Sequence, residues 1–232
     1  MLICQTRALY CSSFLDILSC LVAALCHDVD HPGHSQSYEI NIQSPLALRH
    51  NDDAVLERHH CHTTFTILQE QKCNIFCNMS REEYRHVRKV ILLAILGTDM
   101  SKHFTLIQKL SDRAAIYAES FTSEQSRSCS SSLAAFSKRG SSPGTMWTSR
   151  TPHTEPKTQR SKSVGETMHV ELPFNRQVDE QRLLLLQSIV HTADLSGQAF
   201  PPDVAQIWGN AVISEFQQEA EKQRNAGYVI LI

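Results

Sequence analysis

The stretch that best indicates the fold is LCHDVDHPGH, Leu25–His34. It holds three His and two Asp in ten residues and follows the apolar run Cys20–Cys26. The apolar run predicts a core helix, and Pro32 and Gly33 then break the chain. Imidazole nitrogens and carboxylate oxygens at a helix end can converge on one divalent cation. The stretch therefore favours a metal site built on a helical scaffold.

A second apolar run ends in the same way. Leu183–Val190 leads into Asp194. An unpaired buried carboxylate is costly, so we expect Asp194 to join His27 and Asp28 around a cation. The alternative is that His27 and Asp28 only cap the first helix and pair locally.

Other polar residues are weaker candidates for the same chemistry. The sequence His59-His-Cys-His62 resembles a zinc cluster, but only His59 and His62 would share one face of a helix. Glu57 stands just before them as a further acid, and Asp99 interrupts the apolar face of another predicted helix. Phosphate-binding glycine loops and a GxSxG nucleophile motif are missing from the sequence.

Composition sets the class of protein. The chain has 232 residues, of which 41% are hydrophobic and 20% charged, and this is enough for a packed core. Its net charge of −2 gives no support for a nucleic-acid partner. Eight Cys without a CxxC motif indicate reduced thiols and a cytoplasmic protein. The apolar stretch Phe14–Cys26 is shorter than the roughly 20 residues of a membrane span, so we expect no transmembrane segment, although a longer form of the protein could be membrane-associated.

The periodicity predicts an all-α fold. Ser80 and Glu83 form a capping box before a helix whose apolar residues recur every three or four positions. Asn51–Asp53 is expected to cap a second helix, which would run from Val55 to about Leu68. The pair Pro201-Pro202 opens an amphipathic helix, and no alternating strand pattern is present.

The middle of the chain has a different composition. Between Ser120 and Thr167, 20 of 48 residues are Ser or Thr. Such a segment cannot bury enough apolar surface to fold, so we expect a disordered insertion over residues 119–170. The domain boundaries are then 1–118 and 171–232 for two parts of one helical domain. Lys138–Ser141 is a candidate kinase site within the insertion, and an unmodified linker is the alternative.

Five short motifs resemble the catalytic domain of class I 3',5'-cyclic nucleotide phosphodiesterases, a branch of the all-α HD superfamily of metal-dependent phosphohydrolases. The first is Cys26-His-Asp-Val-Asp-His-Pro-Gly33, and the longest is Asn51-Asp-Asp-Ala-Val-Leu-Glu-Arg-His-His60. The others are Lys72-Cys-Asn-Ile-Phe76, Thr98-Asp-Met-Ser-Lys-His103 and Thr192-Ala-Asp-Leu-Ser196. With the stretch Trp208–Gln223, the resemblance covers nearly all of the chain outside the insertion.

The resemblance implies a function and a role for each matched residue. The chain would hydrolyse cAMP, cGMP or both to nucleoside 5'-monophosphates with two divalent ions, Zn²⁺ and either Mg²⁺ or Mn²⁺. The implied metal ligands are His27, Asp28 and Asp194, with Asp28 shared between the ions. Groups that hold the second ion's waters would be His31, Glu57, Thr98 and Asp99, the first two also lying near the leaving group. Met100 and Val212 would line the purine pocket.

The chain also departs from the family pattern. A His-Asn-x-x-His element is expected before His27, and a Gln and a Phe that contact the purine are expected after Gln223, but the sequence has none of them. We therefore expect a chain truncated at both ends, in which the preference for cAMP or cGMP and the oligomeric state are open. The alternatives are an inactive fragment or regulatory isoform, and another HD-type enzyme acting on nucleotide mono- or triphosphates.

Overall fold

The structure of the protein is a computed structural model that describes residues 11–118, 174–175 and 177–227. The segment 119–173 lies outside this range, and with it the whole predicted insertion (119–170) and the candidate kinase site at 138–141. The described residues are helical and contain no strand, so the all-α prediction is confirmed. The helices are α1 (Phe14–Cys26), α2 (Gln36–Asn41), α3 (Pro45–His50), α4 (Val55–Gln69), α5 (Arg81–Leu96), α6 (103–118), α7 (Asp179–Asp194) and α8 (Pro202–Asn225). Short 3₁₀ turns cover Met100–Lys102 and Leu195–Ala199.

The core lies where α1, α5 and α7 pack against one another, with α4 packed on α5. The predicted apolar face of α5 is confirmed, because its residues at three- and four-residue spacing are buried. The capping box at Ser80 and Glu83 is also present, so α5 begins where the sequence indicates. The most buried core side chains of these helices are Cys20, Ala23, Val87, Val90, Ile91, Ala94, Ile95 and Leu186.

Helix α1 is a core helix on one face only. Cys20 and Ala23 are buried, whereas Phe14 and Leu25 are 78% and 84% exposed. In the part of the chain that the structure describes, no single helix is long and apolar enough to cross a membrane. One bent pair of segments, 81–95 with 100–118, meets the length and composition criteria when the two are taken together.

Helix α4 begins at Val55, as expected, but the predicted cap is wrong. The side chains of Asn51–Asp53 do not cap this helix, and its N-cap residue is Ala54, which has φ 46°. The backbone N–H of Val55 instead donates to Oε1 of Gln36 over 2.8 Å. Asp53 is engaged elsewhere, because its carboxylate pairs with Arg58. The α4 cap is therefore supplied from α2, a distant part of the sequence.

Helix α8 forms where Pro201-Pro202 predicts it, but its apolar side is open to solvent. Ile207, Trp208 and Phe216 are 68%, 62% and 59% exposed. Of the described residues, 11–111, 174–175 and 177–227 belong to one compact unit, and 112–118 belong to another. The helices that carry the predicted site residues all belong to the first unit.

Candidate metal centre

The ends of two packed helices bring the predicted metal ligands together. Helix α1 ends at Cys26 with His27 as its C-cap, and α7 ends at Asp194. Because α1 and α7 pack side by side, His27 Nε2 lies 3.1 Å from Asp194 Oδ1. The same nitrogen lies 3.4 Å from Asp28 Oδ2. One donor atom from each of the three residues lies within 4.8 Å of the others.

The hydrogen bonds of His27 show why this group suits a cation. The ring Nδ1 lies 2.9 Å from the carbonyl oxygen of Ala24, and a carbonyl can only accept, so Nδ1 carries the proton. In the neutral ring, Nε2 then carries a lone pair, which faces the oxygens of Asp28 and Asp194. These acceptors repel one another unless a proton or a cation lies between them. Without a metal ion, the hydrogen bond to Asp194 outweighs burial and raises the pKa of His27 to about 9.

The two carboxylates are more exposed than expected. We predicted costly buried acids, but the side chains of Asp28 and Asp194 are 62% and 30% exposed. Each residue lies at or beyond the last turn of its helix, where the chain leaves the core. The case for a cation therefore depends on the clustered acceptors and not on carboxylate burial.

The donor set fits a divalent metal ion. One imidazole nitrogen and two carboxylate oxygens are ligands that Zn²⁺ and Mn²⁺ accept, and the oxygens also suit Mg²⁺. Three protein ligands leave coordination positions open, as in catalytic sites. Since Asp28 is largely accessible, a substrate can approach this side of the group.

His60 was not among the predicted site residues, yet it lies beside the metal group. Its side chain is 2% exposed, Nδ1 donates to the Val29 carbonyl over 2.8 Å, and Nε2 lies 3.8 Å from Asp28 Oδ1. His59 pairs with Asp30 over 2.9 Å. His62 lines a separate surface cavity of about 470 Å³. The adjacent residues His59 and His60 thus both contact the loop that carries Asp28, and helical spacing alone did not indicate this.

The loop after Asp28 also orients His31. Its Nδ1 accepts a hydrogen bond of 3.0 Å from the backbone N–H of Gly33. The neutral ring therefore carries its proton on Nε2. The His31 ring stacks on His60 with 5.6 Å between the ring centroids. His31 is exposed at this position and can present an N–H group to a ligand.

Glu57 lies between two other acids of the predicted site. Burial raises the pKa of this carboxyl, and the charges of Asp99 and Asp28 raise it further. One of its oxygens, Oε2, is buried without a hydrogen-bond partner. Such a raised pKa shifts the Glu57 carboxyl toward its protonated form.

Thr98 and Asp99 are buried and largely engaged within the chain. Thr98 Oγ1 donates to the Ile95 carbonyl over 2.8 Å. Asp99 accepts from Ser101 N over 2.9 Å and lies 3.2 Å from the ammonium of Lys102. Burial alone would raise the pKa of Asp99, but these partners outweigh it and hold the pKa below its usual range. Asp99 therefore remains ionised and caps the 3₁₀ turn.

The two predicted purine contacts lie on separate elements. Met100 begins the 3₁₀ turn after α5 and is 56% exposed. Val212 lies in α8 and is 43% exposed. Both side chains are accessible to a ligand, and their roles remain predictions.

Comparison with known proteins identifies the family. A sequence model described as "3'5'-cyclic nucleotide phosphodiesterase" matches residues 1–231. Among curated relatives, the rat 3',5'-cyclic-AMP phosphodiesterase 4C is 30% identical over 92% of this chain and 31% of its own length. The Drosophila melanogaster high affinity cGMP-specific 3',5'-cyclic phosphodiesterase 9A is 28% identical over 92% of this chain and 10% of its own length.

Solved structures agree with this match. The phosphodiesterase domain of the RhoPDE fusion protein from Salpingoeca rosetta superposes with a TM-score of 0.69 at 27% identity. That superposition covers 95% of this chain and 53% of the other. The chain thus spans about half of this solved domain and at most about a third of the two curated relatives.

Proposed function

The chain belongs to the 3'5'-cyclic nucleotide phosphodiesterase family, and we propose that it hydrolyses 3',5'-cyclic nucleotides to nucleoside 5'-monophosphates in cyclic-nucleotide signalling. The observation that carries the proposal is the convergence of His27 Nε2 with the carboxylates of Asp28 and Asp194. One imidazole nitrogen and two carboxylates at the accessible ends of two helices form a site for a cation that can also contact a phosphate. The relatives that act on cyclic AMP and cyclic GMP by name support both nucleotides as substrates.

We propose that His27, Asp28 and Asp194 would hold a tighter ion, Zn²⁺, and that Asp28 would also be a ligand of a second ion, Mg²⁺ or Mn²⁺. When bound, such ions supply Lewis-acid polarisation of phosphate oxygens and lower the pKa of a water molecule.

The remaining polar groups orient the metal ligands, donate hydrogen bonds or bind protons. His60 lies behind Asp28 and, through its bond to the Val29 carbonyl, directs Nε2 at that carboxylate. His31 presents its Nε2–H for donation to an oxygen of the departing group. Burial raises the pKa of Glu57 and so shifts it toward its protonated form, whereas hydrogen bonds from Ser101 and Lys102 lower the pKa of Asp99 and favour its carboxylate. We propose that Thr98 and Asp99 hold water of the second ion, and that Met100 and Val212 contact the purine.

The test is hydrolysis of cAMP and cGMP by the purified chain with Mg²⁺ or Mn²⁺ and trace Zn²⁺. We expect metal-dependent turnover that falls at least about 100-fold in Asp28→Asn and in Asp194→Asn, because each change removes a metal ligand. Asp203→Asn, at an exposed acid in the first turn of α8, is the matched control and should keep wild-type turnover.

Three results would contradict the proposal. Equal turnover in the wild type and both ligand variants would remove the metal assignment. A chain that is folded by circular dichroism but hydrolyses neither nucleotide would favour an inactive fragment or regulatory isoform. Turnover of nucleotide mono- or triphosphates in place of cyclic nucleotides would indicate a different HD-type phosphohydrolase.

A further inference from the structure

The C-terminal half of α8 contacts the loop that follows the metal group. This loop, Gly33–Ser35, connects His31 to the start of α2, and Ser35 is the N-cap of that helix. Gly33 has φ +73°, and a Cβ atom added there would lie 3.2 Å from Oε1 of Glu215. The loop and α8 are therefore in close contact although they are about 180 residues apart in sequence.

Glu219 makes the strongest of these contacts. Its Oε2 accepts from the backbone N–H of Ser35 over 2.6 Å, and its Oε1 accepts from the Ser35 hydroxyl over 2.7 Å. Both donors are neutral and the acceptor is a carboxylate, so these are short, charge-assisted hydrogen bonds. Ser35 Oγ in turn accepts from Tyr38 N over 3.1 Å. One carboxylate thus holds both the backbone and the side chain of a helix cap.

A second contact lies beside the first. Lys222 Nζ donates to His34 Nε2 over 2.9 Å, and the other ring nitrogen of His34 lies 3.2 Å from Glu39 Oε1. Glu219 and Lys222 are three residues apart and share one face of α8. We call the contacts of Glu219 and Lys222 with Ser35 and His34 the α8 latch.

The held loop is connected to both sides of the metal group. Upstream, His31 and Asp28 precede it by only a few residues, and His31 accepts a hydrogen bond from Gly33 N. Downstream, Gln36 follows Ser35 and accepts from Val55 N, the first residue of α4. Helix α4 carries Glu57 and His60.

From this geometry we infer that Glu219 is a positioning residue, which acts through Ser35 to hold the His31 loop and the start of α4 in place around the metal group. Helix α8 also carries Val212, so the α8 latch joins the element with a predicted substrate contact to the loop with the metal ligands. The kinetic and metal-binding parts of this inference depend on the proposed function, whereas the latch itself does not.

The first measurement is hydrogen exchange of the full chain and its Glu219→Ala variant. We expect exchange of amides in residues 33–38 to accelerate about tenfold or more, because a charge-assisted bond is lost. Amides of α5 should keep their wild-type protection. Glu219→Gln retains one acceptor oxygen and should give an intermediate rate, and Glu221→Ala, at an exposed acid of α8, should change nothing.

The second measurement is the Zn²⁺ dissociation constant, obtained by competition with a chromophoric chelator, together with kcat and KM. We expect Glu219→Ala to weaken Zn²⁺ binding about tenfold, as loss of an outer supporting contact does. It should lower kcat with little change in KM. Glu219→Gln should restore part of both quantities, and Ser35→Ala combined with Glu219→Ala should be no worse than either single change.

Several outcomes would overturn the inference. Unchanged exchange at 33–38 would show that the α8 latch does not hold the loop. Accelerated exchange throughout α5 would mean that Glu219 only supports global stability. If hydrogen exchange in Glu219→Ala accelerates only at 33–38 while the Zn²⁺ affinity and kcat stay at their wild-type values, Glu219 does not position the metal group. If the wild type neither binds Zn²⁺ nor hydrolyses cyclic nucleotides, the proposed function and the positioning role both fail, while hydrogen exchange still decides whether the latch exists.

Discussion

At the scale of single residues, hydrogen-bond partners decide what each imidazole offers. His27 and His60 both donate from Nδ1 to backbone carbonyls, so each directs its Nε2 toward carboxylates. His31 accepts at Nδ1 and therefore presents a donor. The tautomer of each histidine cannot be predicted from the sequence, because it is set by backbone groups whose positions depend on the folded loop.

A buried acid outside the metal group sets part of the stability of the fold. Asp16 is fully buried, and its Oδ2 accepts from Ser13 N and Ser13 Oγ over 2.7 and 2.8 Å. Its Oδ1 lies 2.7 Å from His86 Nε2. Burial alone would raise the pKa of Asp16, but hydrogen bonds from Ser13 and His86 and the charge of Arg182 hold it below the usual range. The ionised carboxylate of Asp16 therefore stabilises the folded state.

This lowered pKa predicts acid sensitivity with a defined sign. The contribution of Asp16 is complete above its unfolded pKa of about 3.9 and is lost as pH falls through the lower folded value. We expect Asp16→Asn to reduce the free energy of unfolding by about 2–3 kcal/mol at pH 6, and by less below about pH 4. Urea unfolding of both proteins across pH 3–7 measures this.

Glu82→Gln, at an exposed acid in the first turn of α5, provides the control. Its free energy of unfolding should stay within about 0.5 kcal/mol of wild type at every pH. A destabilisation by Asp16→Asn that is the same at pH 3 and pH 6 would contradict the ionised, hydrogen-bonded state of Asp16.

At the scale of helices, capping contacts between residues close in sequence were predictable, whereas capping contacts between distant residues were not. Ser80 and Glu83 lie three residues apart, so the capping box of α5 can be found in the sequence. The acceptor that caps α4 is Gln36, which lies 19 residues from Val55 in sequence. The prediction assigned the cap instead to Asn51–Asp53, because these residues directly precede the helix. A helix end is satisfied by whichever acceptor the fold brings to it, which is not always the nearest one in sequence.

The cap of α4 can be tested directly. Gln36→Ala removes the acceptor for Val55 N and should reduce the free energy of unfolding by about 1 kcal/mol. Gln36→Glu keeps an acceptor oxygen and places a negative charge at a helix N-terminus, so it should retain wild-type stability. Chemical denaturation of the three proteins gives the comparison.

Matched loss of stability in Gln36→Ala and Gln36→Glu would contradict this account of the cap. Such a result would mean that the amide group of Gln36 contributes through another contact and not by accepting from Val55 N.

At the scale of the whole molecule, the metal group depends on closure of the chain. His27 and Asp194 are 167 residues apart, and packing of α1 against α7 brings them to 3.1 Å. The sequence predicted this meeting because both residues end apolar helices. It could not predict how far the carboxylates extend from the core, or that His60 would lie behind Asp28, because both depend on the angle at which the helices and their loops pack.

The open side of α8 is a further property of the whole fold. The sequence predicts an amphipathic helix but does not specify what covers its apolar face. In the structure Ile207, Trp208 and Phe216 remain largely exposed, although Glu219 holds the same helix firmly to Ser35. Glu219 and Lys222 thus attach the C-terminal half of α8 to Ser35 and His34 by polar contacts.

The most direct test of the central claim is an anomalous difference map from crystals of the chain grown with Zn²⁺ and measured at the zinc edge. We expect the strongest peak about 2.0–2.2 Å from His27 Nε2 and from carboxylate oxygens of Asp28 and Asp194. A map without density between His27, Asp28 and Asp194 would contradict this metal site. That holds whether zinc binds instead at His59–His62 or does not bind at all.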